Sequence, residues 1–317
     1  MYQTPETSVA EGQEREPILP PREQWAELSP GPGSITWERA GDARTFAAAG
    51  TALLLQVAHP TVGAGVHDFS TFASDPWGRL WRTLDFTTVL VFGGPEAAAE
   101  MGSRIRDFHK VIKGTKPDGT RYHAMEPEAY TWVHLTLMEG IIRAHERFGR
   151  PFTDEEAARL WSEWRPLGRF LGIRWRDMPE SYEDYRTFVD GIVAERLERN
   201  AAVDEVYDAL TSAPPSPSKY IGPRAWGLAA RPLMRFAGLA TIGLMPQQLR
   251  ARLRLELSRS QTFELRALGA LSRRATPLMP ASMRNVAPGY LRWRRVPIAR
   301  GDVASLEHNP HLRGLAP

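Results

Sequence analysis

The stretch "DARTFAAAGTALLLQVA", Asp42 to Ala58, decides the fold. It is rich in alanine and leucine and apolar on nearly every side, and it stops at His59-Pro60. A helix without a polar face cannot lie on a surface, so this one must run through the middle of the molecule with other elements around it. Proline disfavours helical backbone in the residue before it, which accounts for the stop. The segments that would surround it are helical too. "PEAAAEMGSRIRDFHKVIKG" starts at Pro95 in a first turn and ends at Gly114, a cap signal. "PEAYTWVHLTLMEGIIRAHERFG", Pro127 to Gly149, repeats that punctuation. Capping boxes open two more helices, at Thr153 with Glu156 and at Ser181 with Asp184. Thr61–Gly78 reads as a loop with short helical turns, because glycine, serine, aspartate and proline crowd it. "TTVLVFGG" at Thr87–Gly94 reads as one short strand or a helix end, and alternating β patterns are otherwise nearly absent. The expectation is an all-α protein, a single large helical bundle-like domain with buried central helices.

A chain of 317 residues, 42% hydrophobic and with ten tryptophans, can bury a substantial core. It divides into a flexible acidic leader over residues 1–30, a helical domain over 31–296 and a basic tail over 297–317. "APPSPSKYIGP" at Ala213–Pro223 is a linker-like break inside the domain, and charge changes sign there. From Ile221 onward sixteen Arg face four Asp or Glu, about +12, so the overall +3 leaves about −9 for the first 220 residues. The basic third suits peripheral contact with an anionic membrane, and nothing in the chain points to nucleic acid. Pro246–Ala275 reads as a long arginine-rich amphipathic helix, and "FAGLATIGLM" at Phe236–Met245 as a buried one. No stretch reaches the roughly 18–20 apolar residues of a membrane span, and no secretory signal opens the chain; a cytoplasmic location is expected.

The absence of cysteine excludes disulfides, thiolate metal sites, a cysteine nucleophile and thioether-tethered haem. Six of the eight histidines, His59, His67, His109, His123, His134 and His145, fall within 87 residues. No pair has the four-residue spacing of a two-histidine zinc helix, so each by itself can be a packed or surface residue. His109 raises the sharper question. Met101, Ile105, Phe108 and Ile112 form a core-facing stripe, and His109 borders it, away from Arg104, Asp107 and Lys110. In "DPWGRLWRTLDF" a helix after Pro76 puts Arg79, Arg82 and Thr83 on one face. That face is either an ion-pair surface answered by Asp75 and Asp85, or a site for a carboxylate-bearing group, which guanidinium forks suit.

"ALLLQVAHPTVGAGVHDFSTFASDPWGRLWRT", then "IRDFHKVIKG", then "YHAMEPEAYTWVHLTLMEG" together resemble the MpaB and latex-clearing-protein (rubber oxygenase) family over roughly Ile35–Arg295. The resemblance implies helices enclosing a haem b pocket, with dioxygen and an apolar, prenyl or lipid-like small molecule as reactants. It puts the proximal iron ligand on His109, with His134 as the next candidate for holding the cofactor. The family's Arg-x-x-Lys-Thr motif falls on Arg79, Arg82 and Thr83, on the distal or propionate side. Arg82 stands where rubber oxygenases have lysine, and a guanidinium is a very poor iron ligand. The family's upstream carboxylate base has no equivalent in Gln56–Val66, which leaves proton transfer to His59 or His67. Two other classes stay open on the residues: a non-haem metalloenzyme using several histidines, and a non-catalytic protein that binds a membrane surface.

Overall fold

The computed structural model describes residues 17–69, 76–212, 216 and 220–294, apart from the side chains of residues 76, 77, 79 and 80. The described part is all-α with one small hairpin. Its N-terminal helices are α1 (Trp25–Leu28), α2 (Ile35–Ala40), α3 (Ala49–Val57), α4 (Pro60–Phe69), α5 (Pro76–Phe92) and α6 (Pro95–Lys110). The antiparallel hairpin β1 (Lys113–Thr115) and β2 (Arg121–His123) leads to α7 (Pro127–Phe148). Then come α8 (Asp154–Trp164), α9 (Leu167–Phe170), α10 (Tyr182–Glu195) and α11 (Ala201–Thr211). The basic third supplies α12 (Pro223–Gly243), α13 (Gln247–Leu253), α14 (Arg259–Ala275), α15 (Ala281–Arg284) and α16 (Ala287–Arg294).

The centre is α3 against α7, with α4, α11 and α12 closing around α3. Leu54, Leu55 and Val57 of α3 and Trp132, Leu135 and Met138 of α7 are fully buried. Polar atoms in this core are bonded across helices, as burial demands. Trp132 Nε1 donates to Leu55 O at 2.9 Å, and Thr51 Oγ1 donates to Thr241 O at 2.9 Å. The apolar helix of the opening stretch begins late, however: Asp42 caps a 3₁₀ segment, Ala43–Ala48, before α3.

Several local expectations are corrected. Residues 60–69, read as loop, are the regular helix α4. Its glycines are there for close packing, since a Cβ on Gly63 would lie 2.5 Å from Val57 O. Of the two readings of Thr87–Gly94 the helix end holds, since Thr87–Phe92 closes α5, and Gly94, at φ 83°, turns the chain back into α6. Gly114 caps no helix; it pairs with Tyr122 in the hairpin. Pro246–Ala275 is two helices, broken at Arg254, which adopts a left-handed φ of 56°. The capping boxes at Thr153 and Ser181 form as read, and Ser258 with Gln261 adds a third. The break at Ala213–Pro223 lies partly, and the tail 297–317 wholly, outside the described residues.

Candidate functional site

Helices α5 and α6 form an antiparallel hairpin that turns at Gly93-Gly94. Counting outward from the turn, Ile105 falls level with Arg82, and His109 level with Gly78 and Arg79. Trp81, inside the Arg79–Thr83 segment, packs on Tyr290 and Trp293 of α16, whereas His109 packs on Tyr130 of α7. Arg79 lies in α5 with its side chain outside the described residues; Arg82 is half-buried and Thr83 exposed. Asp85 does not answer a surface here. It is fully buried, bound by Arg294 through Nε at 2.8 Å and through Nη2, and by the Tyr290 hydroxyl at 2.6 Å.

His109 borders the core, although Phe108, expected inside, is 49% exposed. Its Nδ1 lies 2.7 Å from Ile105 O, one turn earlier on α6. A carbonyl can only accept, so Nδ1 carries the proton and Nε2 keeps a lone pair. Among the described residues nothing bonds Nε2. This is the arrangement that suits an imidazole for metal ligation: one nitrogen held by a backbone acceptor, the other free to donate electrons. Burial lowers the His109 pKa, so the ring is neutral at neutral pH, as ligation requires.

The ring packs edge-on against Tyr130, centroids 5.5 Å apart. Tyr130 is buried, its hydroxyl has no partner, and burial raises its pKa. An orphaned buried hydroxyl costs on the order of 1–3 kcal/mol, and those of Thr36 and Thr131 are buried without a partner as well. Three residues before His109 on α6, Arg106 is buried and donates from Nη1 to Phe170 O. One turn beyond Tyr130 on α7 comes His134, fully buried, with both ring nitrogens unpartnered and its pKa pushed down to about 4 by burial. Its ring stacks on Trp164 at 5.6 Å and backs onto Gly168, where a Cβ would come within 3.3 Å of Nε2. That close wall favours His109 over His134 as the ligating imidazole.

The other candidates lie elsewhere. His59 is buried between α3 and the start of α7, with Nε2 3.3 Å from Glu128 Oε1 and Nδ1 unpartnered. Burial lowers its pKa and Glu128 partly offsets that. Glu128 and Trp132 occupy the α3-facing side of α7, whereas Tyr130 and His134 occupy the opposite side, so His59 and His109 do not converge. His67 sits at the surface, 2.7 Å from Glu205 of α11. Sequence reasoning missed Arg106 and Tyr130. Their one signal was position: Arg106 at i−3 from His109, Tyr130 at i−4 from His134.

Fold and site together define an all-helical protein with one imidazole held ready for an acceptor. The chain belongs to the family described as ER-bound oxygenase mpaB/B′ and rubber oxygenase, catalytic domain, whose model matches residues 37–274. Membership places it among oxygenase catalytic domains, enzymes whose reactants are dioxygen and a small molecule. Uncharacterised proteins of Mycobacterium tuberculosis and Mycobacterium bovis are each 25% identical over 240 residues, covering 72% of this chain and 87% of theirs. No solved structure matches. No helix among the described residues is long and apolar enough to cross a membrane.

Proposed function

We propose that this chain is a b-type haem oxygenase acting on an apolar, prenyl or lipid-like molecule, with His109 as the residue that would ligate its iron. The observation that carries the reading is the Nδ1–H bond to Ile105 O, which fixes the tautomer and leaves Nε2 with no partner among the described residues. The residues present fit the group. A porphyrin needs only one protein ligand, whereas among the described residues no three His, Asp or Glu side chains converge as a protein-built metal site would need. Bound haem would supply the iron that activates dioxygen. His109 would hold it, and Arg79, Arg82 and Thr83 would serve its oxygen or carboxylate side.

The apolar substrate class rests on the surroundings. Phe108 and Val111, 49% and 59% exposed, flank His109 at the end of α6, and the Phe108 ring stands 5.5 Å from the imidazole. Such a rim excludes water from the approach and favours hydrocarbon. His59, whose Nε2 meets the half-exposed Glu128, lies across α7 from His109 and so would pass no proton to that side. The basic third would bring the enzyme to an anionic membrane, the place where a lipid-like substrate is found. Leu228, Leu233, Phe263, Leu271 and Trp293 are exposed there among arginines.

The test is the absorption spectrum. Protein purified from a haem-sufficient host should show a Soret band, lost on acid–organic extraction because no cysteine tethers the group. His109→Ala should lose most of it and His308→Ala should keep it. Full haem retention by the His109 variant would overturn the assignment and pass it to His134.

A further inference from the structure

We infer that a groove between α11, α12 and α14 is a binding site for a single-chain anionic amphiphile, a molecule of the fatty-acid class. The inference stands independently of the haem reading, because the groove and the imidazole occupy different sides of the core. Helices α11 and α12 both pack on α3, whereas His109 packs on Tyr130, on the side of α7 turned away from α3.

The groove has a volume of about 350 Å³, and one face of α12 is its floor. Arg231, Met234, Arg235, Gly238 and Ile242 line it, the i, i+3, i+4, i+7 and i+11 positions of a single helical stripe. Tyr207 and Thr211 of α11, with Leu257 and Gln261 at the entry to α14, complete the walls. Gly238 supplies depth. It is buried without a side chain, and the Thr211 methyl is what a Cβ there would meet, at 3.3 Å.

Chemistry changes along the floor in one direction. Arg231 is exposed and Met234 half-buried, while Leu239 and Ile242 are 4% and 6% exposed. The helix rises about 16 Å from Arg231 to Ile242, so a charged, wet end passes into an apolar, dry one. The charge has one sign, since both charged residues of the lining are arginines. Arg235 is closed by a two-pronged pair with Glu264 of α14, Nε to Oε1 at 2.8 Å and Nη2 to Oε2. Arg231 has no partner among the described residues and keeps its fork open at the mouth. A guanidinium fork fits a carboxylate, and small-molecule sites combine apolar walls with a few placed polar groups. The volume is at the small end of the range for such sites, about 300–1,000 Å³, which admits one hydrocarbon chain rather than the two of a membrane phospholipid. A head at Arg231 with its tail towards Ile242 answers both ends of the groove; a wholly apolar guest answers the inner end alone.

The experiment is calorimetric titration of the full-length protein with decanoate, decan-1-ol and decyltrimethylammonium, all below micelle formation and with the carboxylate ionised. Wild type should bind decanoate about tenfold more tightly than the alcohol, and the cation least. Arg231→Gln should erase the preference for decanoate and leave the alcohol within about twofold. Met234→Trp fills the middle of the floor and should weaken both by about tenfold. Octanoate, two methylenes shorter, should bind about tenfold more weakly than decanoate. Arg231 is exposed and Met234 half-buried, so both variants should melt as wild type does. His109→Ala should bind decanoate unchanged, so failure of the haem reading would leave this result standing. Unchanged decanoate affinity in Arg231→Gln or in Met234→Trp overturns the inference, as does equal binding of the anion and the cation. Binding to phosphatidylglycerol vesicles with none to free decanoate also overturns it, in favour of a membrane lipid.

Discussion

Replacing His134 by leucine should make the protein more resistant to acid, by an amount the structure sets. The imidazole is 1% exposed, neither ring nitrogen is bonded, and burial takes its pKa from 6.5 to about 4. A buried histidine with a depressed pKa binds its proton in the unfolded chain before it does so in the folded one. Its contribution to stability is therefore complete above pH 6.5 and drains away as pH falls towards 4. With 1.36 kcal/mol per pKa unit, the loss is about 2 kcal/mol at pH 5 and about 3 kcal/mol at pH 4. Leucine has nearly the same volume and no proton to bind, so His134→Leu should lie within about 1.5 kcal/mol of wild type at pH 7.5 and gain steadily below pH 6.5. His145, which burial also lowers to about 4, is present in both proteins and cancels in the difference. Urea unfolding at pH 7.5, 6, 5 and 4.5 measures the effect. Parallel stability curves for the two proteins would refute it, because they would mean that the His134 ring reaches water in the native state.

Asp85→Ala leaves the buried Arg294 without its carboxylate and the Tyr290 hydroxyl without its acceptor. The expected loss is about 3–5 kcal/mol, and an unshifted thermal midpoint would contradict it. Gly102→Ala puts a Cβ 1.9 Å from Phe170 O, so α6 and α9 must separate; at least about 2 kcal/mol should be lost in denaturant titration. Sedimentation with vesicles should show binding to anionic lipid at low salt that falls steeply as salt rises, by roughly 1 kcal/mol for each arginine near the surface. Removing Val296–Pro317 should weaken it while sparing Arg294, and equal binding to neutral vesicles would rule out the electrostatic part.

Much of the secondary structure was legible because its causes are local. Pro127 and Gly149 bracket α7, and Thr153 with Glu156 opens α8, through contacts a few residues apart. Periodicity alone placed His109 beside the core, and the motifs around it placed the chain in its family. The misread segments are those where a distant surface overrides the local signal. Glycines at 63 and 65 look like loop in isolation and become helix because α4 must approach α3 and the hairpin closely. Nothing in Arg254 announces a left-handed residue, and Phe108 reads as core until its neighbours turn out to leave it open.

The sequence by itself determined an all-helical chain, an apolar central helix and an inward-turned imidazole, because helix propensity, capping and amphipathic spacing act within one or two turns. Only the tertiary structure decided which polar groups meet. Asp85 finds Arg294 across 209 residues, His59 finds Glu128 at the start of α7, and Tyr130 packs on His109 with its buried hydroxyl unanswered among the described residues. Charge pairing depends on distance in space and on the exclusion of water, and both come into being when helices far apart in the chain pack together.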